Sequence, residues 1–182
     1  TIMQIIVTKN YDEMSQVAAD IYKEHLVKQP ETVLGLATGS TPLGMYERLV
    51  KYHQDGLDFS KVTSFNLDEY IGLSKTHPAS FRKYLKERFV DHTNLKHVHY
   101  IDVEGDLEER IRKMSNEVRK EPIDLALVGI GENAHIAFND PPADFDTKEA
   151  FIIVNLDEKC KQQQVREGWF KSIDEVPKQA LT

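Results

Sequence analysis

Three short segments of this 182-residue chain carry groups able to move protons or hold an anion. The densest is Gly129-Ile130-Gly131-Glu132-Asn133-Ala134-His135-Ile136-Ala137-Phe138-Asn139-Asp140. It places the imidazole of His135 among the carboxamides of Asn133 and Asn139 and the carboxylate of Asp140. Histidine titrates near neutral pH, so it can accept and return a proton, and a neighbouring carboxylate or carboxamide can fix its tautomer. The second segment, Ser64-Phe65-Asn66-Leu67-Asp68-Glu69-Tyr70, sets two carboxylates just past an apolar run. A carboxylate there serves as a base when partial burial raises its pKa toward neutrality; its bland alternative is a solvated turn or a helix cap. The third is Thr38-Gly39-Ser40-Thr41-Pro42. Gly39 lets backbone approach a ligand closely, Ser40 and Thr41 add hydroxyl donors, and a following helix would offer free N–H groups and a positive dipole end to a phosphate. No Gly-Lys-Ser/Thr follows, so this is not a Walker loop. Its bland alternative is an ordinary Ser/Thr cap with a glycine turn.

Such groups act together only if the chain brings them to one edge. Strand-like and helix-like patterns alternate along it. Met3 to Val7 reads as a strand. Met14, Val17, Ala18 and Ile21 then recur at helical spacing. Val33 to Leu36 is a short buried strand, followed by a helix opened by Pro42 and running through Met45, Leu49 and Val50. Further strands are predicted at Val62–Phe65, Val98–Ile101, Ile123–Ile130 and Ala150–Asn155, and further helices near Phe81–Phe89 and over Leu107–Val118. This alternation predicts an α/β fold, a Rossmann-like doubly wound and mainly parallel sheet with helices on both faces. Ligands in such folds bind at the carboxyl edge of the sheet, where all three segments fall.

Composition narrows the functions. Forty per cent hydrophobic residues suffice for one domain with a real core. A net charge of −7 with interspersed Lys and Arg argues against nucleic acid as partner. No apolar run is long enough to span a membrane, and the first residues lack the features of a signal peptide. The single cysteine, Cys160, excludes an internal disulfide, which fits a cytoplasmic setting. Cys160 sits in a polar stretch and reads as incidental rather than nucleophilic. No Cys/His spacing suggests zinc, and His92, His97 and His99 read as surface histidines.

Taken together, Leu34 to Pro42, Phe65 to Leu73, Gly129 to Asn139 and Glu175 to Thr182 resemble the glucosamine-6-phosphate deaminase (isomerase) family, within the sugar-phosphate isomerase and 6-phosphogluconolactonase superfamily. The resemblance spans almost the whole chain. It implies conversion of glucosamine 6-phosphate to fructose 6-phosphate and ammonia, with no metal or other cofactor and a small phosphosugar as the partner. Asp68 then matches the base that moves a proton between C2 and C1. His135 matches the residue that opens the pyranose ring, and Asn133 and Asp140 match its supports. Thr38, Gly39, Ser40 and Thr41 match the phosphate loop, and Glu69, Gly131 and Arg166 are further candidates for substrate contact. The chain is expected to be one sugar-phosphate isomerase-like domain over 1–182, short of the family's C-terminal elements, and either monomeric or homo-oligomeric.

The chain departs from the family at several positions. Asn133 stands where some members have Asp, Asp140 where Glu is usual, and Ala134 where Gly is usual, which makes a positive φ unfavourable at 134. The family's phosphate-binding Arg aligns without gaps on Glu167 or Gly168, with Arg166 close by. Pro141-Pro142-Ala143-Asp144-Phe145-Asp146 carries acids where allosteric members carry Ser and basic groups, so activation by N-acetylglucosamine 6-phosphate is not expected. The rival readings are a 6-phosphogluconolactonase, a paralogue acting on another phosphosugar, and a non-catalytic sugar-phosphate sensor.

Overall fold

A computed structural model describes residues 2–182. In chain order the elements are α1 (Tyr11–Lys28), β1 (Val33–Leu36), α2 (Leu43–Gln54), β2 (Thr63–Asn66), β3 (Glu69–Ile71), α3 (Phe81–Arg88), β4 (His97–His99), α4 (Leu107–Lys120), β5 (Leu125–Ala126), β6 (Ile153–Asn155), α5 (Glu158–Arg166) and β7 (Gln179–Leu181). Four strands form a parallel sheet in the order β4-β2-β1-β5, with Leu34 opposite Ser64 on one side and Leu125 on the other. The chain builds outward from β1 through β2 to β4, then returns to add β5 on the other side of β1. The crevice between the carboxyl ends of β1 and β5 is therefore the topological switch point, where open α/β sheets bind ligands. This is the expected α/β architecture with a mainly parallel sheet flanked by helices.

Side-chain pattern accounts for most elements. Asn10 and Asp106 accept N–H bonds at the starts of α1 and α4, as N-caps should. α2 has no side-chain cap; Pro42 occupies the N-cap itself, one residue before the helix begins. The main core joins the sheet to α1, α2 and α3 through Tyr22, Leu26, Leu34, Leu36, Tyr46, Leu49, Tyr84 and Leu85. A second core gathers Tyr70, Phe81, Phe138, Cys160 and Phe170, with the Tyr70 ring 4.8 Å from Phe81 and 5.4 Å from Phe138.

Four expectations change. Met3–Val7 is not a strand: Met3 and Val7 are 81% and 88% exposed and pair with nothing among the described residues. Strand propensity needs a neighbouring strand to be realised. Thr1 lies outside the described residues. The expected strand Ile123–Ile130 shrinks to Leu125–Ala126, which pairs with Leu34 and Gly35 of β1. The strand at Ala150–Asn155 forms only over Ile153–Asn155 and leaves the parallel sheet. It pairs antiparallel with β7, which also pairs with β3, making a second three-stranded sheet. Finally, α5 has no counterpart in the sequence reading. Its side chains are almost all polar, and only Cys160 is buried.

Candidate active site

A cavity of about 460 Å³ opens at the switch point. It is lined by Thr38 to Pro42 after β1, Asp68 after β2, and Gly129, Gly131 and His135 after β5. Three segments separated by up to a hundred residues thus meet at one sheet edge.

The Thr38–Thr41 loop turns at Gly39, whose φ of +107° is a conformation reserved for glycine. Two framework tyrosines hold the loop from outside. The Tyr84 hydroxyl donates to the Gly39 carbonyl at 2.6 Å, and the Tyr11 hydroxyl to the Thr41 carbonyl at 2.9 Å. Bonding the carbonyls to the framework leaves the loop's hydroxyls and the α2 N-terminus to attract an anion. Among the described residues no Lys or Arg lines the cavity.

Asp68 is buried at the cavity wall. Burial, and then the charge of Glu69, push its carboxyl up to about 7. A carboxylate with that pKa is poised to accept and return a proton near neutrality. Glu69 points elsewhere and does not line the cavity. Its carboxylate accepts the Phe81 N–H at 3.1 Å, the Arg82 N–H at 3.0 Å and the Ser80 hydroxyl at 3.3 Å, satisfying the first turn of α3. Burial raises its pKa, and these bonds work against that rise. Glu69→Gln replaces one accepting oxygen with an NH₂ that faces N–H donors. We expect it to lower stability by about 1–3 kcal/mol. Removing the charge beside Asp68 should also move the acid limb of the rate profile to lower pH. Thermal melts and a pH–rate profile check both; an unchanged melting temperature would remove the capping role.

His135 is buried in a loop closed by the Ile130–Ile136 bridge. Gly131 lies so close beneath the imidazole that an added Cβ would overlap the ring. Nδ1 hydrogen-bonds to Asn133 Oδ1, while Asn133 Nδ2 donates to Asp157 at 3.3 Å. Because the NH₂ is turned to a carboxylate, Oδ1 is the atom facing the ring. Nδ1 therefore carries the proton, and Nε2 is the basic nitrogen of the neutral ring. Asp140 Oδ1 also lies 2.8 Å from Nδ1, without an aligned hydrogen bond. Its other oxygen accepts the Asp157 N–H at 2.9 Å. The aspartate thus reaches the histidine although it is one methylene shorter than the residue usual at that place.

Ala134 adopts φ +65°, so the loop keeps a left-handed turn without glycine. That conformation costs a residue with a Cβ about 1–2 kcal/mol. Ala134 is exposed, so Ala134→Gly loses no packing, and its net gain after the entropy of the unfolded chain is about 0.5–1 kcal/mol. The melting temperature should rise by roughly 1–4 °C; a fall would show that the turn is unstrained.

Arg166 does not line the cavity. It is exposed and ion-paired with Glu132. The α5 side instead presents Gln163, Gln164 and Glu167, with Trp169 just beyond. No motif announces these wall residues; the polar helix that carries them could have been found from Asp157 as an N-cap before a run of helix formers. His92 and His97 are exposed, and His99 stacks on Phe65 with Glu117 at 3.3 Å, all remote from the cavity lining.

The sequence profile described as glucosamine-6-phosphate isomerases/6-phosphogluconolactonase matches residues 8–166. The chain belongs to this family. It is 48% identical over 185 aligned positions to a glucosamine-6-phosphate deaminase of Thermoanaerobacter sp. strain X514, covering 99% of this chain and 72% of the relative. It is 42% identical to one of Clostridium acetobutylicum, over 99% of this chain and 75% of the relative. The solved structure of a monomeric glucosamine-6-phosphate deaminase superposes with a TM-score of 0.92 at 39% identity, over 99% of this chain and 75% of that one. The 6-phosphogluconolactonase of Leishmania guyanensis shares the fold at a TM-score of 0.79 and 17% identity. Within the family the chain is thus nearer to these deaminases than to that lactonase. No helix among the described residues is long and apolar enough to cross a membrane.

Proposed function

We propose that this chain converts glucosamine 6-phosphate and water to fructose 6-phosphate and ammonia. The observation that carries the reading is the buried Asp68, with its pKa near 7, in the same cavity as His135 and the Thr38–Thr41 loop. The similarity to deaminases at 40–48% identity supports it. The loop takes the phosphate. His135, through Nε2, relays a proton between O1 and O5 as the ring opens to the aldehyde. Asp68 removes the C2 proton, giving an enolamine, and returns it to C1, giving the imine at C2. Water adds to that imine and ammonia leaves, so the net bond broken is C2–N. Asn133 and Asp140 hold His135, and Gly131 leaves room for its ring. This assigns the chain a deaminase activity that is hydrolytic at nitrogen and isomerising at C1 and C2.

The test is to incubate the protein with glucosamine 6-phosphate and assay both products. Equal rates of ammonia and fructose 6-phosphate release are expected. Neither product from a folded protein that binds the sugar phosphate would overturn the reading, and hydrolysis of 6-phosphogluconolactone instead would replace it with the lactonase. Asp144 and Asp146 are exposed in the segment after Asp140, so an added anionic activator meets negative charge there. N-acetylglucosamine 6-phosphate should leave the rate curve unchanged; conversion of a sigmoidal curve to a hyperbolic one would contradict this.

A further inference from the structure

The support of His135 contains a third group that the proposed reaction does not use. His135, Asp140 and Cys160 each offer one ligand atom, and these atoms lie within 4.8 Å of one another. All three residues are buried. His135 and Asp140 come from the loop after β5, and Cys160 from the first turn of α5, twenty residues further on. Asp140 Oδ1 has no aligned hydrogen-bond donor despite its burial. The thiol is inert by itself, since burial and the Asp140 charge both raise its pKa.

We propose that His135 Nδ1, Asp140 Oδ1 and Cys160 Sγ form a binding site for a borderline-soft divalent cation, Zn²⁺ or Co²⁺, which inhibits the enzyme by holding His135. Thiolate and imidazole together select such ions over Mg²⁺ and Ca²⁺. Bond lengths of about 2.0–2.3 Å put ligand atoms roughly 3.2–3.6 Å apart around a tetrahedral ion. The His135–Asp140 contact of 2.8 Å opens slightly, and Cys160 draws in by at most about an ångström. Asn133 Oδ1, already against Nδ1, offers a neutral oxygen on the same side. His135 lines the cavity, so the site lies directly behind the cavity wall. On binding, the S–H bond is replaced by an S–metal bond and its proton leaves to solvent. Nδ1 gives its lone pair to the metal, and the ring proton moves to Nε2, the nitrogen the ring-opening step needs free. No electron is transferred. The site itself rests on geometry; only the inhibition rests on the proposed role of His135.

The experiment titrates the whole chain with Co²⁺ and follows the thiolate-to-cobalt charge-transfer absorption, then adds Zn²⁺ to displace it. One equivalent per chain is expected in the wild type and no band in Cys160→Ser. Zn²⁺ should suppress deaminase turnover at least tenfold, reversibly with a chelator, and at least tenfold higher Zn²⁺ should be needed in Cys160→Ser, whose activity without metal is unchanged. Cys160→Ala provides the same comparison if the serine variant fails to fold. No charge-transfer band in folded wild type, or the same band in the variants, overturns the site. A one-equivalent band with unaffected turnover supports the site and removes His135 from the reaction instead.

Discussion

Asp68→Asn is expected to lose about 10³–10⁴ in turnover while becoming more stable above neutral pH. A positioned general base contributes about 10²–10⁴, and Asp68 is asked to serve at both C2 and C1, which puts the loss at the upper end. The gain in stability follows from the same burial. The folded carboxyl keeps its proton to about pH 7, whereas its ordinary value is 3.8. Its contribution to stability is therefore full below 3.8 and is lost as pH rises through 7. That interval corresponds to an upper bound of about 4 kcal/mol. An asparagine has no charge to desolvate, so the variant should melt several degrees higher than wild type at pH 8 and no higher at pH 4. Proton exchange at C2 in deuterated water and melts at the two pH values check both effects. Retained exchange would remove Asp68 as the base. A variant equally destabilised at both pH values would show that its carboxyl is not held protonated by burial.

His135→Gln should reduce turnover of the closed-ring substrate by about 10²–10³. Glutamine can accept and donate hydrogen bonds but cannot carry a proton between O1 and O5. The asymmetry of the ring's surroundings sharpens the prediction. Asn133 fixes the proton on Nδ1, so the proposed proton relay uses Nε2 alone. An open-chain analogue bypasses that step, and its turnover should fall less than tenfold. Equal losses with both substrates would place His135 in the later proton transfers and remove the ring-opening role.

The candidate groups were legible because their signal is local. Gly39, Gly131, Asp68 and His135 lie at the ends of apolar runs, and short-range patterning is enough to say that such residues sit at strand termini. The helix α4 could be read from apolar spacing, and β1 from its unbroken apolar run; α1 forms where expected but buries Ser15, Ala19, Tyr22 and Leu26, while Met14 and Ile21 of the expected stripe are exposed. The residues that mattered but gave no such signal are those whose position depends on a partner distant in sequence. Met3–Val7 has strand-forming side chains but no neighbouring strand among the described residues, and Ile153–Asn155 has a neighbour that is antiparallel rather than parallel. Glu69 stands beside Asp68 in sequence yet faces α3, because neighbouring residues at a strand end point to opposite sides.

The sequence by itself determined the α/β class and the family, and it named the candidate acid–base groups, since these reside in residue type and short spacing. Only the tertiary structure decided how those groups are charged and partnered. The rise of Asp68 toward neutrality comes from desolvation by a folded wall. The place of Arg166, exposed and paired with Glu132 rather than lining the cavity, follows from how α5 docks. The meeting of Cys160 with His135 and Asp140 comes from a polar helix docking on a loop. Each is a matter of distance and burial, and neither quantity exists until the chain has closed on itself.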